Sequence, residues 1–244
     1  MAETVAGKIS PASDFKSGTQ AGVSIAIGYF PIALTFGLLA KSAGLSIGET
    51  IMMSLIVFAG ASQYISLSLL SLGTGVFEIV LTTFIVNIRH FLMATSLNEK
   101  APDGDVAAKA AYSFGLTDET FSVAATKEGE VRPGYMFGLV LMSYSSWVIF
   151  SGIGHLIGAN LPKTLQESMA VALYAMFIGL LVPSMKKSAK AIYLAAMAAA
   201  FNTIFTFGKI LEAGWAIVAA TLLAAIIAEA VVYVKERKVA GDAE

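Results

Sequence analysis

The residues that could do chemistry in this chain are few, and they sit where a lipid-facing helix should have none. Gln63, Asn87, Arg89 and His90 interrupt long apolar runs, while Asp118 and Glu119 lie at the centre of a shorter, more polar run. An ionisable group at the centre of a bilayer costs about 2.5–3.5 kcal/mol on insertion scales, so each is a candidate functional group. Phe58-Ala59-Gly60-Ala61-Ser62-Gln63 adds a succession of small residues, which let a helix unwind or a neighbouring backbone come close. Unwound helix ends near mid-membrane present free backbone groups and dipole ends suited to a zwitterion. A small-residue packing groove accounts for the same patch equally well.

Other chemistries find no support. The chain has no cysteine and two histidines, His90 and His155, so neither a thiolate nucleophile nor a conventional metal site is expected. No phosphate-binding Gly-x-x-x-x-Gly-Lys-Ser/Thr loop and no His-Glu-x-x-His helix occurs. Ser62 with His90 or His155 is the one combination that suggests a Ser–His intramembrane hydrolase, and its spacing carries little specificity. The expectation is a protein without catalytic residues, cofactor or metal.

The elements that must position these groups are membrane helices. Hydrophobic residues make up 57% of the 244 positions and charged residues only 14%, with mean hydropathy +0.75. Soluble domains carry about 25% charged residues. The apolar residues fall in blocks of about 20, each long enough to cross a hydrocarbon core about 30 Å thick. The fold class expected is an all-α polytopic membrane protein with seven to eight transmembrane helices, some broken or re-entrant. Residues 1–18 read as a polar tail without the features of a signal peptide. Residues 19–234 read as a single transmembrane domain, and residues 235–244 as a polar cytoplasmic tail.

The first span covers about Thr19–Ala40, with Pro31 expected to kink it. Ser46 and Glu49 have capping-box spacing, so a second helix should begin near Ile47 and run to about Leu72, interrupted at 59–62. Gly73-Thr74-Gly75 is a tight turn, and a third span covers Val76–Leu97. The segment 110–126 is too short and too polar for a plain span and suits a broken or re-entrant helix. Later spans cover about Tyr135–Ile157, Leu165–Pro183, Ala191–Phe207 and Ala213–Val234. Gly134/Gly138 and Gly154/Gly158 have the small-xxx-small spacing of close helix crossings. Lysine and arginine in the loops put the C-terminus in the cytoplasm whether or not 110–126 crosses, and leave the side of the N-terminus open.

Arg89 lies roughly 12 Å from the nearer end of its span, too deep to snorkel fully. On a regular helix Asn87 and His90 share a face and Arg89 points about 100° away from His90. Either the cluster serves two neighbours or the helix is irregular here. Asp118 and Glu119 are the best carboxylate partners for Arg89, although Thr117 or Asp118 as a simple N-cap explains the same residues. Glu78, Glu229 and His155 read as interfacial groups, and Asn202 as an interhelical hydrogen-bonding residue.

Phe36-Gly37-Leu38-Leu39-Ala40, Ala43-Gly44-Leu45-Ser46 and Phe58-Ala59-Gly60-Ala61-Ser62-Gln63 resemble the signature of the AzlC family. Asn87-Ile88-Arg89-His90 and Thr117-Asp118-Glu119-Thr120-Phe121 follow in the family's order, and the likeness covers about residues 16–235. The resemblance implies the large subunit of a two-component exporter of branched-chain amino acids in the bacterial cytoplasmic membrane, with a small AzlD-type membrane protein as partner. The expected pathway residues are Gly60, Ser62, Gln63, Asn87, Arg89, His90, Asp118 and Glu119. Proton coupling is compatible with His90, Asp118 and Glu119, but nothing in the residues compels it. A channel or a carrier for another small solute is the alternative, with an intramembrane enzyme behind it. Many relatives carry an Asp-Phe and a proline where this chain reads Met169-Ala-Val-Ala-Leu-Tyr-Ala-Met-Phe177, so no role of those residues is carried over.

Overall fold

The computed structural model describes residues 11–102, 104–158, 188–211 and 213–241, with isolated positions between 162 and 186. The expected span at Leu165–Pro183 and the departure at 169–177 lie outside the described residues. The described helices are α1 (Pro11–Ser42), α2 (Ile47–Val57), α3 (Gly60–Ser71), α4 (Val76–Asn87), α5 (Arg89–Asn98), α6 (Val106–Ser113), α7 (Asp118–Thr126), α8 (Pro133–Gly158), α9 (Ala189–Phe207) and α10 (Ala213–Gly241). No strand occurs among the described residues. Among the described residues four helical stretches are long and apolar enough to cross a membrane: Ala12–Ser42, Val76–Asn98, Pro133–Gly158 and Ala189–Phe207. The protein is an all-α, multi-pass membrane protein.

The chain forms two compact units, one from residues 1–64 and 87–170, the other from 65–86 and 171–244. The first unit is organised on α1 and α8, its most extensive helix pair. Their backbones touch through glycine. A Cβ added at Gly37 would lie 1.9 Å from the Ser151 carbonyl oxygen, and one at Gly154 would lie 2.1 Å from that of Leu34. Between helices in lipid, close packing of this kind replaces the hydrophobic effect as the force for association. The spacing expected of Gly154/Gly158 is thus realised, with α1 as the partner that the spacing could not name.

α1 begins at Pro11, so residues 11–18 continue the helix ahead of the expected start at Thr19. It runs continuously through Pro31. Thr35 donates to the Pro31 carbonyl at 2.9 Å and Tyr64 to the Ile32 carbonyl at 2.6 Å, adding donors around the proline. α1 ends in a Schellman motif, with Leu45 N–H on the Ala40 carbonyl and Gly44 in the left-handed region at φ 88°. The Ser46–Glu49 capping box then starts α2 at Ile47, where its spacing placed it.

In the second unit α9 packs on α10. Phe77 of α4 lies 6.2 Å from the Trp215 ring of α10, and Lys190 pairs with Glu229 at the surface. Among the described residues the Glu78 Oε2 and the Asn202 Oδ1 are buried and have no hydrogen-bond partner.

Candidate functional site

The break between α2 and α3 comes at Phe58-Ala59, just before the patch of small residues. Phe58 adopts left-handed backbone angles, φ 35° and ψ 47°, which are costly for a bulky side chain. Its ring is held in place between Tyr29, at 6.4 Å, and Tyr144, at 5.0 Å. From Gly60 onward the chain is helical again, so Gly60 serves a different purpose. A Cβ there would meet the Trp147 ring at 2.8 Å, so the glycine is what lets α8 lay that ring against α3.

The polar groups that follow are buried and engaged. Gln63 accepts the Trp147 indole N–H at 2.9 Å through Oε1 and donates to Ser54 at 3.2 Å through Nε2. Ser54 passes its own hydrogen to Ser151 at 2.9 Å, and Ser151 donates to the Trp147 carbonyl at 2.6 Å. The network therefore closes on itself across α2, α3 and α8, with Gln63, Ser54 and Ser151 all fully buried. Ser62 donates to Asn87 Oδ1 at 2.6 Å, which ties α3 to the end of α4.

The span from Val76 to Asn98 is interrupted at Ile88, as the spread of its polar residues over two faces suggested. The backbone at Ile88 stays right-handed (φ −56°, ψ −27°), and Phe91 N–H reaches back only three residues to the Ile88 carbonyl. On either side of this step the polar residues serve different neighbours. Asn87 faces Ser62, while Arg89 reaches α7 and pairs with Asp118 at 2.9 Å. The pair is partly accessible, with side chains 38% and 27% exposed. The Arg89 Nε is buried and has no acceptor among the described residues. His90 follows Arg89 on α5 and makes no hydrogen bond among the described residues.

α7 brings its acidic residues to this place through its N-cap. Thr117 and Thr120 form a reciprocal capping box, so the helix starts at Asp118 with both carboxylates in its first turn. The polar stretch 110–126 is accordingly two short helices, α6 and α7, joined at 114–117, which answers the expectation of a broken helix. N-capping and ion pairing, expected as alternatives, are both present: Thr117 caps, and Asp118 pairs. Carboxylates in a first turn also benefit from the positive end of the helix dipole. Glu119 accepts the Tyr29 hydroxyl at 2.7 Å, and that hydroxyl is also 2.7 Å from Thr117 Oγ1.

The structure thus brings Arg89, Asp118 and Glu119 together, leaves His90 without a recorded contact to either carboxylate, and joins Ser62 to Asn87 and Gly60 to Gln63 around Trp147. Tyr29 and Trp147 were not singled out from sequence. Their rings pack edge to face at 5.2 Å, so the two clusters share an aromatic wall. His155, near the end of α8, is 6% exposed and bonds Thr50 at 2.9 Å through Nδ1, so it is enclosed by protein. Neither histidine hydrogen-bonds Ser62, so the Ser–His arrangement of a hydrolase is not formed.

Comparison with known proteins agrees with this architecture. The family model described as AzlC protein matches residues 24–161. The inner membrane protein YgaZ of Escherichia coli is 31% identical over 79% of this chain and 82% of its own. A membrane protein of Archaeoglobus fulgidus is 31% identical over 73% of this chain and 79% of its own. The branched-chain amino acid transport protein AzlC of Bacillus subtilis is 27% identical over 72% of this chain and 70% of its own. No solved structure matches the chain. A family match over more than half of the sequence, with the Arg89 and Gln63 motifs inside it, establishes that the chain belongs to the AzlC family.

Proposed function

We propose that this protein is the large subunit of a secondary transporter that exports branched-chain amino acids, working with a small AzlD-type membrane subunit. The observation that carries this reading is the Arg89–Asp118 pair. Its arginine belongs to the apolar stretch Val76–Asn98, its carboxylate comes from the short helix α7, and the pair remains partly open to its surroundings. A purely structural ion pair at such depth would be expected to be enclosed, because each exposed charge facing lipid is costly. Accessibility at depth fits a water-lined path instead.

In this reading Arg89, His90, Asp118 and Glu119 line the path for the charged end of the solute, with Asn87 at the step in the helix. Gly60, Ser62 and Gln63, which the sequence also placed on the path, hold its wall: their polar groups are spent on Asn87, Trp147 and Ser54. The named transport activity of the Bacillus subtilis relative supports branched-chain amino acids as the solute.

The test is efflux of labelled valine and leucine from loaded cells that express this chain alone or with its small partner. Efflux that requires both proteins supports the two-component reading, and efflux from this chain alone places the whole path within it. Absence of efflux in both, with both proteins in the membrane, overturns the assignment of solute.

A further inference from the structure

Resting on the transporter reading, we propose that the Arg89–Asp118 ion pair is the empty state of a zwitterion site. The α-carboxylate of an amino acid takes Asp118's place on Arg89, and the released Asp118, with Glu119, receives the α-ammonium. The pair exchanges partners with its ligand rather than merely pinning α5 to α7.

Charge counting points this way. The cluster holds one guanidinium against two carboxylates, and among the described residues Glu119 is partnered by one neutral hydroxyl, that of Tyr29. A ligand bringing an ammonium balances the surplus negative charge, and its own carboxylate keeps Arg89 paired. A simple cation would leave Arg89 unchanged and compete with it for Asp118; a simple anion would displace Asp118 and leave two carboxylates uncompensated. Only a ligand carrying both charges satisfies both sides.

The hydrogen bonding points the same way. Asp118 reaches Arg89 through one oxygen and Nη1, and the buried Nε–H has no acceptor among the described residues. A carboxylate docked side-on to a guanidinium forks across Nε–H and Nη2–H, a stronger and more directional contact than the single Nη1 bond, so Asp118 gives way to the better partner. An unmade bond to a buried donor is costly in the empty site, and the ligand relieves it. Glu119 is meanwhile fixed by Tyr29 and Thr117 is held in its cap, so the acidic side stays in place as Asp118 changes partner.

The experiment compares ligand-induced thermal stabilisation of the purified protein, with its small partner where that is required, using L-valine, isovalerate and valinamide. The proposal expects stabilisation by valine and little by either singly charged analogue. In Asp118→Asn, Arg89 loses its internal competitor and the site loses an ammonium acceptor. Isovalerate should then bind roughly tenfold more tightly and valine less tightly, reversing the preference. Arg89→Lys, which keeps the charge without the fork, should weaken valine by roughly tenfold. Equal losses for both ligands in Asp118→Asn would mean a structural pair and overturn the exchange. Stabilisation of the wild type by isovalerate as strong as by valine would overturn the zwitterion site while leaving the transporter reading intact. No response to any branched-chain amino acid, with efflux also absent, would overturn both.

Discussion

Gln63 and Arg89 each put polar groups beside an interruption in an apolar helix, yet the protein finishes them differently. Around Gln63 the side chains are fully buried, Gln63, Ser54 and Ser151 each have partners, and the bonds run in a closed circuit through Trp147. Around Arg89 the ion pair is partly exposed, one buried donor has no acceptor, and His90 has no partner among the described residues. A closed circuit fixes a geometry, because any movement breaks several bonds in a low-dielectric interior. An incomplete one keeps bonding capacity for something that arrives later. The difference separates a wall from a path, although both motifs look alike as polar interruptions in sequence.

The largest expected effect breaks the path and spares the wall. Arg89→Ala should reduce valine and leucine efflux to the level of cells lacking the protein, with its amount in the membrane unchanged. Because the pair is partly exposed, the stability lost should be small, about 1 kcal/mol or less. Melting of the purified variant checks this. Normal efflux from Arg89→Ala would remove Arg89 from the path altogether.

The next effect runs the other way. Gln63→Leu keeps side-chain bulk but leaves the buried Trp147 N–H without an acceptor and removes the donor to Ser54. The cost should be about 1–2 kcal/mol, seen as a lower melting temperature in detergent, with export per folded molecule retained. Lost export with unchanged melting would place Gln63 on the path after all and erase the distinction.

How much of this was legible follows from distance along the chain. The Ser46–Glu49 box, the turn at Gly73 and the two-face spread of Asn87–His90 are local, and each appears where it was read. Nonlocal partners were not legible. Trp147 meets Gln63 across 84 positions and Tyr29 meets Glu119 across 90. Nothing in an apolar helix marks which aromatic residue will be chosen. The break itself was displaced for a related reason. Small residues at 59–62 suggest unwinding there, but Gly60 is small because Trp147 lies on it, and the backbone turns at Phe58, whose aromatic neighbours hold an angle its own type disfavours. The partner of His155 was not legible either, since Thr50 belongs to a helix far back in the chain.

Tyr29 allows the finest test, because it belongs to both clusters. Its ring packs on Trp147 in the wall, and its hydroxyl donates to Glu119 in the path. Tyr29→Phe keeps the ring contact, removes the hydroxyl from both Glu119 and Thr117, and should cost about 0.5–1.5 kcal/mol. Melting should therefore move less than in Gln63→Leu, and efflux should fall in part rather than disappear. The informative quantity is how this change combines with Arg89→Lys. If Tyr29 steadies Glu119 for the same ligand that Arg89 holds, the two losses in efflux should be non-additive, as for residues acting on one bound species. Simple additivity would mean that the tyrosine hydroxyl stabilises α7 and no more, which would confine the path to the Arg89 side of the cluster.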